Sequence, residues 1–126
     1  MMVIDSCGWL SYLLDAPLAS AFAPYVARPG VLVPALAVYE VHKVMQRERG
    51  EVAADEAANW LMETYTVVPV DGVLAVEAAD YAVRHGLSLA DAVMYATAKA
   101  HKVPLVTSDS HFLGLPGVEY IGDGEA

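Results

Sequence analysis

Four carboxylates sit at the ends of apolar runs or near the starts of helical segments, positions from which side chains can converge. Asp5 directly follows Val3-Ile4, and Asp109 follows Leu105-Val106-Thr107 with Ser108 between. Asp91 lies in the first turn of a segment opened by Ser88. Glu40 lies about one and a half turns into the segment after Val31-Leu32-Val33-Pro34. Brought into one pocket, several ionised carboxylates repel, and at least one is forced neutral. A bound divalent cation inverts that logic and holds them all ionised. Oxygen ligands suit Mg²⁺ or Mn²⁺, whereas Zn²⁺ prefers His and Cys. The four histidines, His42, His85, His101 and His111, show no paired ligand spacing and read as surface or loop residues, although His111 is close to Asp109. Cys7 reads as a small core residue, since no motif links it to a histidine.

Each acid also has an ordinary structural reading. Asp5 and Asp109 suit helix N-caps or Asx turns at strand–helix junctions. Ser88-Leu89-Ala90-Asp91 matches the [ST]-x-x-[DE] capping box. Glu40 fits such a role least well. It stands at the rim of an apolar helix face made by Ala37, Val38, Val41, Val44 and Met45, with Lys43 and Arg47 on its other side. That arrangement is either a plain i,i+3 ion pair or the wall of an acid-lined cleft with a cationic border. Asp71, ahead of Gly72, is assigned to capping.

The elements that must position these acids can be read from periodicity and punctuation. Val3-Ile4 is a strand, and Trp9, Leu10, Leu13 and Leu14 fall at helical spacing. Residues 15–29 hold a short helix and a loop. Val31 to Pro34 is a second strand, followed by a helix over about 35–49 that stops at Gly50. A helix over about 51–66 precedes the strand 67–70, which Pro69 assigns to a sheet edge. Helices over about 72–85 and 88–101, a strand over 103–107 and a last short strand over 118–121 complete the chain. Short apolar strands alternating with helices predict an α/β fold, a parallel sheet covered on both faces. In such sheets ligands bind beyond the carboxyl ends of the strands, where the acids fall.

Composition bounds the rest. The chain has 126 residues, 56% of them hydrophobic, which predicts one domain over 1–126 with its own core and excludes disorder. Its longest uncharged run, Ala16 to Ala27, has 12 residues and two prolines, against the roughly 20 that a membrane span needs. The start has no basic region and places Asp5 where a signal peptide would be apolar. One cysteine allows no internal disulfide, so a cytoplasmic setting is expected. With 7 basic against 16 acidic side chains, the net charge of −9 argues against indiscriminate coating of nucleic acid. The helices carrying Trp60, Leu61 and Tyr65 offer more apolar side chains than one small core needs, which predicts a homodimer.

Four segments together carry a resemblance. Val3-Ile4-Asp5-Ser6, Ala37-Val38-Tyr39-Glu40-Val41, Leu87-Ser88-Leu89-Ala90-Asp91-Ala92 followed by Tyr95-Ala96, and Thr107-Ser108-Asp109-Ser110-His111-Phe112 are similar to the four acidic motifs of PIN-domain ribonucleases. In length the chain resembles the VapC-like toxins of toxin–antitoxin modules. The resemblance implies a three-layer α/β/α sandwich, a metal site made of Asp5, Glu40, Asp91 and Asp109, and supporting hydroxyls at Ser6 and Thr107. It also implies an RNA substrate and inhibition by a cognate antitoxin.

The reading that follows is a Mg²⁺-dependent endoribonuclease. Asp5 and Asp109 are its expected direct ligands, and Asp91 either a third ligand or the holder of a metal-bound water. Glu40 completes the shell or orients the attacking water, with Lys43 and Arg47 where the RNA backbone enters. The competing reading is a partner-binding domain that kept the fold and lost activity. A phosphotransfer domain fits poorly, because receiver domains pair acids after the first strand and Asp5 is followed by Ser6-Cys7.

Overall fold

A computed structural model describes residues 1–122. The chain runs β1 (Met2–Ile4), α1 (Ser6–Leu13), α2 (Ala19–Val26), β2 (Val31–Pro34), α3 (Ala35–Arg49), α4 (Glu51–Thr64), β3 (Thr66–Val68), α5 (Gly72–His85), α6 (Leu89–Ala100), β4 (Leu105–Thr107) and β5 (Val118–Tyr120), with a 3₁₀ turn at Ser110–Phe112. All strand pairs are parallel and the sheet order is β3-β2-β1-β4-β5. The three central strands β2, β1 and β4 are buried along their whole length, as expected of strands covered on both faces. Six α-helices flank the sheet in a three-layer α/β/α sandwich. From β1 the chain winds outward through β2 to β3, and α5 and α6 then return it to β4 on the other side of β1. The winding therefore reverses between β1 and β4, the place where open α/β sheets form a crevice.

Local chemistry explains where the helices start and stop. Asp71 Oδ1 accepts the Leu74 N–H at 2.9 Å and caps α5, which ends at Gly86 in the left-handed region, φ 67°. Gly8 has another role. A Cβ there would lie 2.7 Å from Ile4 Cγ2 and 2.7 Å from Phe22 Cε1, so only glycine lets α1 approach β1 and α2 this closely. Helix α6 is buried from Ala92 to Ala98, packed against α5 and α3 as well as against β1, β2 and β4.

Two sequence expectations change. The strand β3 starts at Thr66, earlier than its apolar run, because Thr66 pairs with Leu32 of β2. Pro69 lies just beyond the edge strand that it marked. The aromatic side chains expected to be surplus are used within the chain. Leu61 is fully buried, and Trp60 and Tyr65 pack on Trp9 with ring centroids 5.9 and 5.0 Å away. Other apolar side chains are exposed, among them Val52 and Met62 on α4 and Val73, Val76 and Val83 on α5. Among the described residues no helix is long and apolar enough to cross a membrane.

Candidate active site

Strand register brings the first candidate side chains together. Ile4 of β1 pairs with Val106 of β4, so Asp5 and Thr107 leave neighbouring strand ends side by side. The Thr107 hydroxyl donates to Asp5 Oδ2 at 2.9 Å and accepts the Asp109 backbone N–H at 3.0 Å. Asp5 Oδ1 accepts the Ser6 N–H at 2.8 Å, so Asp5 is also the N-cap of α1. The carboxyl is 2% exposed, and burial pushes its pKa up from 3.8 to about 6. Hydrogen bonds from Cys7 and Thr107 oppose the rise, and the negative charge of Asp91 adds to it.

Helix α3 carries Glu40 to the same edge. The Ser6 hydroxyl donates to Glu40 Oε1 at 2.7 Å, joining α1 to α3. The ion pair of Glu40 with Lys43 does not form among the described residues. Lys43 instead places its ammonium over the Tyr39 ring at 5.2 Å, and Arg47 Nε lies 3.7 Å from Glu48. Both cations are exposed.

Asp91 reaches the site from the first turn of α6, where its N–H donates to Ser88 Oγ at 3.3 Å. Its pKa is raised, first by burial and then by the charges of Asp109 and Glu40; His111 and Ser88 pull the other way. Asp109 accepts the His111 backbone N–H at 2.9 Å and opens the 3₁₀ turn. Hydrogen bonds thus join Asp5, Thr107 and Asp109, and Ser6 to Glu40, while Asp91 lies near enough to feel the charges of Asp109 and Glu40, so the six side chains gather at the carboxyl edge of the sheet. A separate groove lined by Arg28, Gly30, Tyr65 and Thr66 opens at the opposite edge, by the amino ends of β2 and β3.

Two residues belong to this cluster against expectation. Cys7 is a polar partner rather than core filler: its thiol donates to Asp5 Oδ2 at 3.3 Å and lies 3.4 Å from both Thr107 Oγ1 and Ser108 Oγ. Burial and then the Asp5 charge push its pKa to about 11, so it is a protonated donor and not a nucleophile. His111 is exposed, yet its Nδ1 lies 2.9 Å from Asp109 Oδ1 and 3.6 Å from Asp91 Oδ2. The signal for it was the Asp-x-His spacing, since an Asx turn brings residue i+2 back over the aspartate. Pairwise ligand spacing between histidines could not find it.

These residues fit a divalent cation. No Lys or Arg pairs with any of the four acids among the described residues, and His111 is the one cation-capable partner they have. One ligand atom each from Asp91, Asp109 and His111 lies within 4.8 Å of the others. Several carboxylates are held close without positive charge, an arrangement that a hard cation would relieve.

Known structures with this architecture exist. A chain of a toxin–antitoxin complex from Klebsiella pneumoniae is similar at a TM-score of 0.75 and 22% identity, over 96% of this chain and 100% of that one. Mycobacterium tuberculosis VapC20, described as a sarcin–ricin loop cleaving toxin, is similar at a TM-score of 0.75 and 20% identity, over 99% of this chain and 93% of that one. A chain of FitAcB from Neisseria gonorrhoeae is similar at a TM-score of 0.67 and 20% identity, over 97% of each chain. No curated protein sequence matches significantly. The PIN domain model matches residues 2–117, a span that contains all four acids and every strand but β5. On that match, the chain belongs to the PIN domain family.

Proposed function

We propose that this chain is a metal-dependent endoribonuclease, the toxin of a toxin–antitoxin module, using Mg²⁺ or Mn²⁺. The observation that carries the reading is the meeting of Asp5, Glu40, Asp91 and Asp109 at one sheet edge, with no Lys or Arg paired to them among the described residues. Asp5, Asp91 and Asp109 would hold the cation, with Glu40 beside them. When bound, the cation would lower the pKa of a water and neutralise charge on the cleaved phosphodiester. Thr107 fixes Asp5 and Asp109 relative to each other, and Ser6 fixes Glu40. Glu40, whose Oε2 makes no hydrogen bond among the described residues, would orient an attacking water. Lys43 and Arg47 would border the RNA backbone. The similar chain from a toxin–antitoxin complex supports a cognate antitoxin as partner, and a homodimer in the cytoplasm completes the proposal.

The test is cleavage of RNA with and without EDTA, alongside folded Asp5→Asn and Asp109→Asn proteins. The reading expects no cleavage in EDTA and at least a hundredfold lower turnover in each variant. Equal rates with chelator, or wild-type turnover in Asp5→Asn, would overturn it and leave a partner-binding domain.

A further inference from the structure

We propose that the imidazole of His111 is itself a ligand of the cation at Asp91 and Asp109, tilting the site's affinity from Mg²⁺ toward nitrogen-accepting metals such as Mn²⁺ and Co²⁺. This rests on the reading above for the presence of a cation, and goes beyond it in the ligand and the metal.

Geometry is the first support. In an octahedral shell with bonds of about 2.1 Å, neighbouring ligand atoms sit roughly 3.0 Å apart and opposite ones roughly 4.2 Å. His111 Nδ1 is 2.9 Å from Asp109 Oδ1 and 3.6 Å from Asp91 Oδ2, and the three residues' ligand atoms span no more than 4.8 Å. Small movements of an exposed side chain would close one shell around them. Orientation is the second. The His111 side chain is 73% exposed and could extend into water, yet the Asx turn brings its backbone back over Asp109 and its Nδ1 lies beside both carboxylates. Charge is the third. An imidazole is the one nitrogen ligand beside an otherwise all-oxygen donor set, and no Lys or Arg competes for these acids among the described residues.

The metal follows from the donor. Mg²⁺ favours oxygen and keeps its waters, so a neutral imidazole adds little to its binding. Along Mn²⁺, Fe²⁺, Co²⁺ and Ni²⁺ a nitrogen donor contributes progressively more. The alternative is that His111 is only a hydrogen-bond partner that orients Asp109. His111→Asn separates the two, because its amide can still donate to Asp109 but supplies no imidazole nitrogen.

The experiment uses the full chain with Mn²⁺, Co²⁺ and Mg²⁺ in turn, followed by calorimetry, and pulsed electron paramagnetic resonance on the Mn²⁺ form. Expected is a directly coordinated ¹⁴N coupling on Mn²⁺ in the wild type that disappears in both His111→Ala and His111→Asn. Kd for Mn²⁺ and Co²⁺ should rise on the order of tenfold to a hundredfold in both variants, and Kd for Mg²⁺ by less than about threefold. Mn²⁺ bound without nitrogen coupling, or Mg²⁺ and Mn²⁺ weakened alike, would overturn the proposal and leave the nuclease reading standing. A wild type that binds none of the three ions would overturn both.

Discussion

Thr107 and Asp5, 102 residues apart in sequence, share a hydrogen bond of 2.9 Å from the threonine hydroxyl to Asp5 Oδ2. The same hydroxyl accepts the Asp109 N–H, so one buried group fixes two acids from two strands. Side chains at the ends of adjacent parallel strands meet in this way without help from loops, which gives the site a rigid base.

Thr107→Val keeps the shape and removes that group. It leaves the Asp109 N–H without this partner and Asp5 Oδ2 with the Cys7 thiol alone. Urea unfolding should show a loss of about 1–3 kcal/mol, the cost of unmade buried hydrogen bonds. Thr107→Ser should recover most of it.

Asp5 makes stability depend on pH. Its folded pKa of about 6 lies above the unfolded value of 3.8, so the folded state takes up the proton first as pH falls. Raised carboxyl pKa values cost stability that is fully felt above the folded value and relieved between it and the unfolded one. Metal-free protein should therefore gain roughly 2–3 kcal/mol from pH 7 to pH 4 through this group alone. Asp91, also raised, adds in the same direction. Thermal melts in EDTA should show Tm rising toward mild acid, and a flatter profile in Asp5→Asn.

Gly8→Ala should destabilise, although alanine is the better helix former. A Cβ at 2.7 Å from Ile4 and Phe22 has nowhere to go in a packed core, and overpacking costs about 1–3 kcal/mol against about 1 kcal/mol of helix propensity. Calorimetric melting is the measurement, and a higher Tm would refute the packing argument.

Lys43→Glu with Arg47→Glu should raise KM for RNA and flatten its dependence on salt, with kcat nearly unchanged. Neither cation pairs with the acids, so Mg²⁺ affinity should hold or increase slightly. Steady-state cleavage across a salt series checks this, and an unaltered salt slope would place RNA entry elsewhere.

The sequence by itself determined the elements and the acids. Apolar runs such as Val31-Leu32-Val33 mark buried strands, while Asp71, Gly86 and Ser88 punctuate the helices through bonds made within a few residues. Placing Asp5, Glu40, Asp91 and Asp109 near one edge needed only the rule that parallel sheets bind ligands at their carboxyl ends. Capping and clustering proved compatible, since Asp5 and Asp109 do both. The tertiary structure alone decided what touches what. No local pattern puts β4 beside β1, because parallel pairing joins residues far apart in the chain, and that pairing creates the Thr107–Asp5 bond. Cys7 looked apolar until the neighbouring strand end set Thr107 and Ser108 against its thiol. Trp60 and Tyr65 looked spare until α1 presented Trp9 to them. Periodicity and capping act over single turns and can be read along the chain; strand order, register and side-chain direction come from long-range packing, which exists only once the chain has closed on itself.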